Sequence, residues 1–294
     1  KQGSGRVLTF EYSTANRDMP VAYGSFRAMH TLCEVLIAGI ARPAAEELIR
    51  RIYERAGVLE SKFNRFDPQS GVSRMNRSAA CGETSVDDEL YGALEMCRVF
   101  NRSTCGSFDI AVQSEERPSG EAYLLQPSRH AVRFTGTGVT LDFGGFAKGY
   151  ALERIKQLLI KETAGSALVN FGNSSILALG VHPFGDHWPV GLANPFRDGE
   201  EAYGFKLRDG ALSISGHTPE HPRHIIDPGS GGYVARDGFV AVQGRSPLVA
   251  EVLSTALFAA PDTNWTGITA PSTYSRAVRI ACDRDGTVTV TEIP

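Results

Sequence analysis

Residues 139–159, VTLDFGGFAKGYALERIKQLL, change character in the middle. Val139 to Asp142 read as the end of an apolar strand. Gly144 and Gly145 make a turn, and a helix begins. Its apolar face carries Phe146, Ala151, Ile155, Leu158 and Leu159 at helical spacing. A glycine turn lets a ligand approach the backbone, and the free N–H groups of a helix start attract phosphate. Lys148 in the first turn adds positive charge. The GxxxxGK[ST] spacing of a P-loop is absent, as is the three-glycine spacing of a dinucleotide fingerprint. An ordinary strand-to-helix turn accounts for the same residues equally well.

Upstream, VLTFEYS, YGSFRAMHT and CEVLIAG have the β-branched and aromatic content of strands. From Pro43 the period changes: Ala45, Leu48, Ile49, Ile52, Ala56, Leu59 and Phe63 predict a long helix. DPQSGVSRMNRSAACGE reads as loop. Ser85 with Asp88 forms a capping pair for a second helix, whose apolar face holds Val86, Leu90, Ala93, Leu94, Cys97 and Phe100. Residues 113–138 read as loop-rich. Downstream, LVNF, ILALGV and WPVGLANP read as strands. YGFKLRDGALSIS and AVRIACDRDGTVTVTEI read as hairpins around Asp-Gly, with a helix from Ser246-Pro247 between them. Strands and helices mix without regular β-α alternation. The predicted fold class is therefore α+β, with mainly antiparallel sheets and packed helices.

The chain has 294 residues, enough for one large domain, and residues 1–294 are read as a single one. Its net charge of −3 spreads over 30 basic and 33 acidic residues. No basic stripe points to nucleic acid, and no apolar run is long enough for a membrane helix. The first residues, KQGSGR, read as a trimmed end, so a leader is neither indicated nor excluded. Five cysteines form no CxxC pair and read as small apolar residues, with at least one free thiol.

Three other stretches could carry chemistry. In SPLVAEVLSTALFAA, residues 246–260, Glu251, Ser254 and Thr255 share one helix face, and a carboxylate beside two hydroxyls suits Mg²⁺. A solvated polar face is the competing reading. In LVNFGNSSI, residues 168–176, Asn170, Gly172 and Asn173 interrupt a strand, as a ligand contact or a β-bulge would. In SGHTPEHPRHIIDPGSGG, residues 215–232, His217, His221 and His224 raise the question of zinc. Pro219 and Pro222 prevent a regular helix there, and no HExxH pattern is present. Hydroxyls and glycines in this loop suit phosphate or a flavin edge better.

Together these stretches resemble the ApbE family of FAD:protein FMN transferases, in the same order along nearly the whole chain. FRAMHTLCEV looks like the family's N-terminal Met-Gly-Thr strand. ESKFNRFDPQSGVSRMN is similar to its E-x-x-FS-x-Y helix and loop, and STCGSFDIAV to its T-x-G-x-FD-[PI]-T-V element. LDFGGFAKGYALE looks like DLGGIAKGYAVD, and VNFGNSSILALG like VN-x-GGDI. HIIDPGSG resembles H-x-IDP-x-TG, and AEVLSTAL resembles ADALSTAL.

The resemblance implies an α+β fold, FAD bound in a cleft, and Mg²⁺-dependent cleavage of the FAD pyrophosphate. FMN would pass to a Thr or Ser of a target protein, with release of AMP. FAD contacts would fall on Met29, Phe66, Ser107, Phe108, Asp109, Asp142 and Lys148. The metal would sit between the Gly145 carbonyl and Glu251, Ser254 and Thr255. His224 and Asp227 would line the reacting phosphate, with His224 assisting proton transfer. The family is commonly exported, which implies a periplasmic or cell-envelope location. Departures mark a divergent member. Glu251 stands where the family has Asp, His30 where it has Gly, and Gly172-Asn173-Ser174 where it has GGD. An FAD- or FMN-binding protein without turnover and an FAD pyrophosphatase without an acceptor are the alternatives.

Overall fold

The computed structural model describes residues 7–16, 18–116, 118–162, 165–218, 224–269 and 272–294. His221, Pro219 and Pro222 lie outside these residues. In chain order the strands are β1 (Thr9–Ser13), β2 (Val21–Ala28), β3 (Thr31–Ala38), β4 (Thr84–Ser85), β5 (Tyr123–Gln126), β6 (Ala131–Phe134) and β7 (Ser166–Phe171). They continue as β8 (Ser175–Leu179), β9 (Trp188–Ala193), β10 (Glu201–Leu207), β11 (Gly210–His217), β12 (Gly238–Gly244), β13 (Arg276–Cys282) and β14 (Val288–Glu292). The α-helices are α1 (Arg42–Phe63), α2 (Gly71–Ser78), α3 (Asp88–Ser103), α4 (Ala147–Lys161), α5 (Pro247–Ala259) and α6 (Trp265–Thr269).

A sheet in the order β1-β2-β3-β7-β8-β11-β12-β13-β14 runs through the molecule, every neighbouring pair antiparallel. This bears out the predicted α+β class. Strand alternation separates its two faces. Leu177 of β8 and Val240 and Val242 of β12 enter the main core with α1, α4 and α5. Ile176, Ala178, Phe239 and Ala241 point the other way, into a second cluster closed by the β9–β10 hairpin through Trp188, Phe205 and Leu207. Strand β11 follows the same rule: Leu212 and Ile214 join the second cluster, leaving Ser213 and Ser215 to face α5. Among the described residues, no helix is long and apolar enough to cross a membrane.

Helix α1 buries Ala45, Leu48, Ile49, Ile52, Ala56, Leu59 and Phe63, the seven positions predicted from periodicity, and Pro43 sits in its first turn. Five local expectations are corrected. The stretch read as loop after Asp67 contains α2, capped by the Ser70 hydroxyl, which accepts from Ser73 N at 3.1 Å. Helix α3 is capped by Asp87, whose carboxylate accepts from Glu89 N and Leu90 N, while Ser85 belongs to β4. Residues 113–138 hold β5 and β6, which form a small sheet with β4.

Residues 139–143 are buried at Val139, Leu141 and Phe143, yet they form no strand. Side chains and one loop carbonyl take the place of a sheet neighbour, Asp142 N donating to Ile110 O at 2.7 Å. Asn76 donates to Leu141 O and accepts from Leu141 N, and Ser114 Oγ accepts from Thr140 N. The expected β10–β11 hairpin does not form. β10 pairs with β9, while β11 is taken on both edges by β8 and β12. Asp209, at φ +47°, carries the chain between layers, and its carboxylate accepts from Gly180 N at 2.8 Å. The β13–β14 hairpin forms as expected.

Candidate functional site

The glycine corner of residues 144–149 meets α5. A Cβ at Gly145 would lie 3.2 Å from Thr255 Oγ1 and 3.5 Å from the Phe108 ring. A Cβ at Gly149 would lie 2.5 Å from Glu251 Cβ and 2.8 Å from Pro247 O. The two glycines thus let α4 and α5 approach backbone to backbone. Asp142 closes the corner on itself, accepting from Gly144 N at 3.0 Å.

At this contact Lys148 Nζ lies 3.1 Å from Glu251 Oε1 and donates to Ser174 Oγ (2.8 Å) and Ser175 Oγ (2.9 Å). Glu251 Oε2 accepts from Ser175 Oγ (2.6 Å) and Ser213 Oγ (2.8 Å). Ser213 Oγ lies 3.0 Å from Ser254 Oγ. Ser215 Oγ lies 2.9 Å from Ser254 Oγ and 3.3 Å from Thr255 Oγ1. Ser254 and Thr255 also donate back to the Glu251 carbonyl. The Glu251 side chain is 5% exposed and that of Lys148 23%, so the pair sits at the base of the site. A solvated face for Glu251 is thereby overturned: α5 is enclosed by β11, β12 and α4.

The row Ser213, Ser215, His217 continues along β11 at period two. The His217 ring packs edge-on against Phe258 of α5, and the His224 ring packs against His217 at a centroid separation of 5.4 Å. The exposed His224 leads into a turn in which Asp227 Oδ1 accepts from Gly229 N at 2.8 Å. Next in this turn, Pro228 lines a cavity of about 400 Å³ with Asp109, Asn101 and Tyr123, within the size range of ligand pockets. Burial pushes the Tyr123 phenol and the Cys97 thiol of this wall well above their usual ranges, keeping both neutral.

On the other side of the corner, Arg65 Nε lies 3.1 Å from Asp142 Oδ2, and its guanidinium covers Phe66 at 4.5 Å. Phe66 is 67% exposed, and the His30 ring stands edge-on to it. Met29 and His30 form the two-residue β2–β3 turn at φ +52° and +62°, a conformation that glycine or asparagine adopts more readily. The Phe108 ring is buried against Phe100, so it supports Gly145 from inside. Ser107, in the turn before it, is half-buried.

The structure therefore gathers Gly145, Lys148, Glu251, Ser254 and Thr255 at one contact and joins Asp142 to the Phe66 ledge through Arg65. His224 and Asp227 lie beyond the end of β11, with the His224 ring against His217. Sequence reasoning missed Ser175 and Ser213, and took Ser215 only as a hydroxyl of the histidine loop. The alternation Ser213-x-Ser215-x-His217 was the available signal. It missed Arg65, for which there was no signal beyond proximity to Phe66.

The implied metal set fits only in part. The Gly145 backbone and the Thr255 hydroxyl adjoin, but both carboxylate oxygens of Glu251 are engaged by Lys148, Ser175 and Ser213. A lysine ammonium already balances the charge that a divalent ion would balance. As folded, Glu251 does not fit a magnesium ligand. Among the described residues, no three His, Cys, Asp or Glu side chains form a metal-holding group; His221, one of the three histidines considered for zinc, lies outside them.

Comparison with known proteins bears on the fold and the family. The model of the ApbE family matches residues 29–275. The FAD:protein FMN transferase of Treponema pallidum (strain Nichols) is 28% identical over 306 residues, covering 86% of this chain and 80% of that protein. The FAD:protein FMN transferase of Rhodobacter capsulatus is 30% identical over 317 residues, covering 95% of this chain and 59% of that protein. The flavin transferase ApbE of Vibrio cholerae superposes with a TM-score of 0.76 at 17% identity, covering 98% of this chain and 97% of that one. The flavinyl transferase ApbE of Pseudomonas stutzeri, in its apo form, gives 0.77 at 19%, covering 99% and 96%. At these identities the superpositions speak to the fold, while the family match spans most of the chain: it belongs to the ApbE family.

Proposed function

We propose that this protein is an FAD:protein FMN transferase: it cleaves the FAD pyrophosphate and attaches FMN to a Thr or Ser hydroxyl of a protein acceptor, releasing AMP. The carrying observation is the convergence of the glycine corner and Lys148 with the hydroxyl-bearing face of α5. Family membership and the names of the Treponema and Rhodobacter relatives support the same reading.

Phosphoryl transfer needs positioning and charge neutralisation more than covalent catalysis. In this reading the corner lets the phosphates approach the backbone N–H groups at the start of α4, beside the Lys148–Glu251 pair. Phe66 offers a face for the isoalloxazine ring. Met29, Ser107, Asp109 and Asp142 line the cofactor side, with Phe108 behind them. His224 takes the proton from the acceptor hydroxyl, and Asp227 shapes the loop that presents it. No step is routed through a metal ion. A magnesium requirement, with Gly145, Glu251, Ser254 and Thr255 as ligands, would need Glu251 to leave Lys148. A periplasmic or cell-envelope location belongs to the same proposal, tested by fractionation.

The reading is tested with FAD and a peptide library bearing Thr and Ser. Flavin fluorescence on denatured peptide, with stoichiometric AMP, is expected. FMN and AMP released without labelled peptide would favour the pyrophosphatase. Bound but intact FAD would favour a binding protein.

A further inference from the structure

We infer that Lys148 is the standing counter-ion of Glu251, and that it keeps a divalent cation off this carboxylate. Three features carry the inference. An ammonium has three donors, and Lys148 Nζ has three acceptors in reach: Ser174 Oγ, Ser175 Oγ and Glu251 Oε1. The carboxylate is closed on its other side as well, since Oε2 accepts from the buried Ser175 and Ser213 hydroxyls. Packing also fixes Glu251 at its root: Gly149 faces its Cβ so closely that a methyl group would stand 2.5 Å away.

Magnesium demands near-octahedral oxygen ligands at close range and usually keeps several waters. Here it would have to displace an ammonium from a side chain that is 5% exposed. The glutamate's length is part of the device. One methylene more than aspartate carries the carboxylate across the α4–α5 contact to Lys148 and Ser175. Ser174 contributes a neutral oxygen there rather than a second carboxylate, so Lys148 and Glu251 balance each other in charge.

This inference deepens the proposed function by naming how the site is charged, but its test is taken without flavin. Mn²⁺ binding to the FAD-free protein is followed by electron paramagnetic resonance. The wild type is expected to show no saturable site that depends on Glu251. Glu251→Asp withdraws the carboxylate from Lys148 without removing its charge, and Lys148→Met frees it. Each is expected to gain a saturable Mn²⁺ site, at least about tenfold tighter than the residual Mn²⁺ binding of wild type, a difference of roughly 1.4 kcal/mol. Stoichiometric Mn²⁺ binding by the wild type that Glu251→Gln abolishes would overturn the inference. So would folded Glu251→Asp protein with wild-type Mn²⁺ affinity. If Lys148→Met does not fold, the wild type, Glu251→Gln and Glu251→Asp decide. Repeated with FAD, Mn²⁺ binding that survives Glu251→Gln leaves the carboxylate with lysine, whereas binding lost in that variant hands it to the metal. Failure to release AMP would sink the proposed function and leave the Mn²⁺ result standing.

Discussion

Gly149→Ala sets two effects of opposite sign against each other. Gly149 lies within α4, where alanine is favoured over glycine by about 0.5–1 kcal/mol. Against this, the new methyl would stand 2.5 Å from Glu251 Cβ, 2.8 Å from Pro247 O and 3.0 Å from Leu248 Cα. Two of these atoms are backbone and the third is a Cβ, so no flexible side-chain end can swing aside. The helices must separate, and overpacking of this kind costs about 1–3 kcal/mol. With contacts this short the upper end applies, leaving a net loss of about 2 kcal/mol and a fall in melting temperature of roughly 3 °C. Gly92→Ala is the control: it sits in α3 with nothing within 4 Å of a new Cβ, so only the helix gain remains and the melting temperature should rise slightly. Calorimetry on both variants decides. A Gly149→Ala protein at least as stable as wild type would refute the close α4–α5 contact.

Glu251→Gln should destabilise by about 2–3 kcal/mol, less than for a fully buried pair because Lys148 reaches solvent; adding Lys148→Met should recover part of the loss in a urea-denaturation cycle. Phe66→Ala should change stability by less than about 0.5 kcal/mol, because the ring is exposed, yet weaken FAD binding roughly two- to tenfold in a flavin-fluorescence titration. Burial tends to raise the Glu89 carboxyl, but Lys62 and Arg55 hold it below its usual value of 4.5. Its stabilising contribution is therefore full above that pH and lost as pH falls through the lower folded value, and Glu89→Gln should flatten this part of the acid-unfolding curve.

How far the sequence could be read differs by element for physical reasons. Helix α1 was legible because one face is buried and the other solvated, so its apolar period survives in the chain. Helix α5 gave no sign that Glu251 is enclosed: it is covered on nearly every side, so the face shared by Glu251, Ser254 and Thr255 read equally as a solvated one. Residues 139–143 alternate as a strand does, but their partners are the side chains of Asn76 and Ser114 and the Ile110 carbonyl, placed there by tertiary structure alone. The Asp-Gly at 209–210 carries a hairpin signal, yet its flanks pair in different sheets, β10 with β9 and β11 with β8 and β12, while Leu207 and Leu212 meet in one cluster between them. Most candidate site residues came from family resemblance, and the structure gave them a physical arrangement. Lys148 and Glu251 were both singled out, but their pairing depends on a packing distance no spacing encodes.

The most direct measurement is separation of adenine nucleotides by chromatography after incubating the purified protein with FAD and acceptor peptides, with and without Mg²⁺. AMP should appear in equal amount to FMN covalently bound to peptide, and Lys148→Met should suppress both. FAD recovered intact under every condition would contradict flavin transfer by this site.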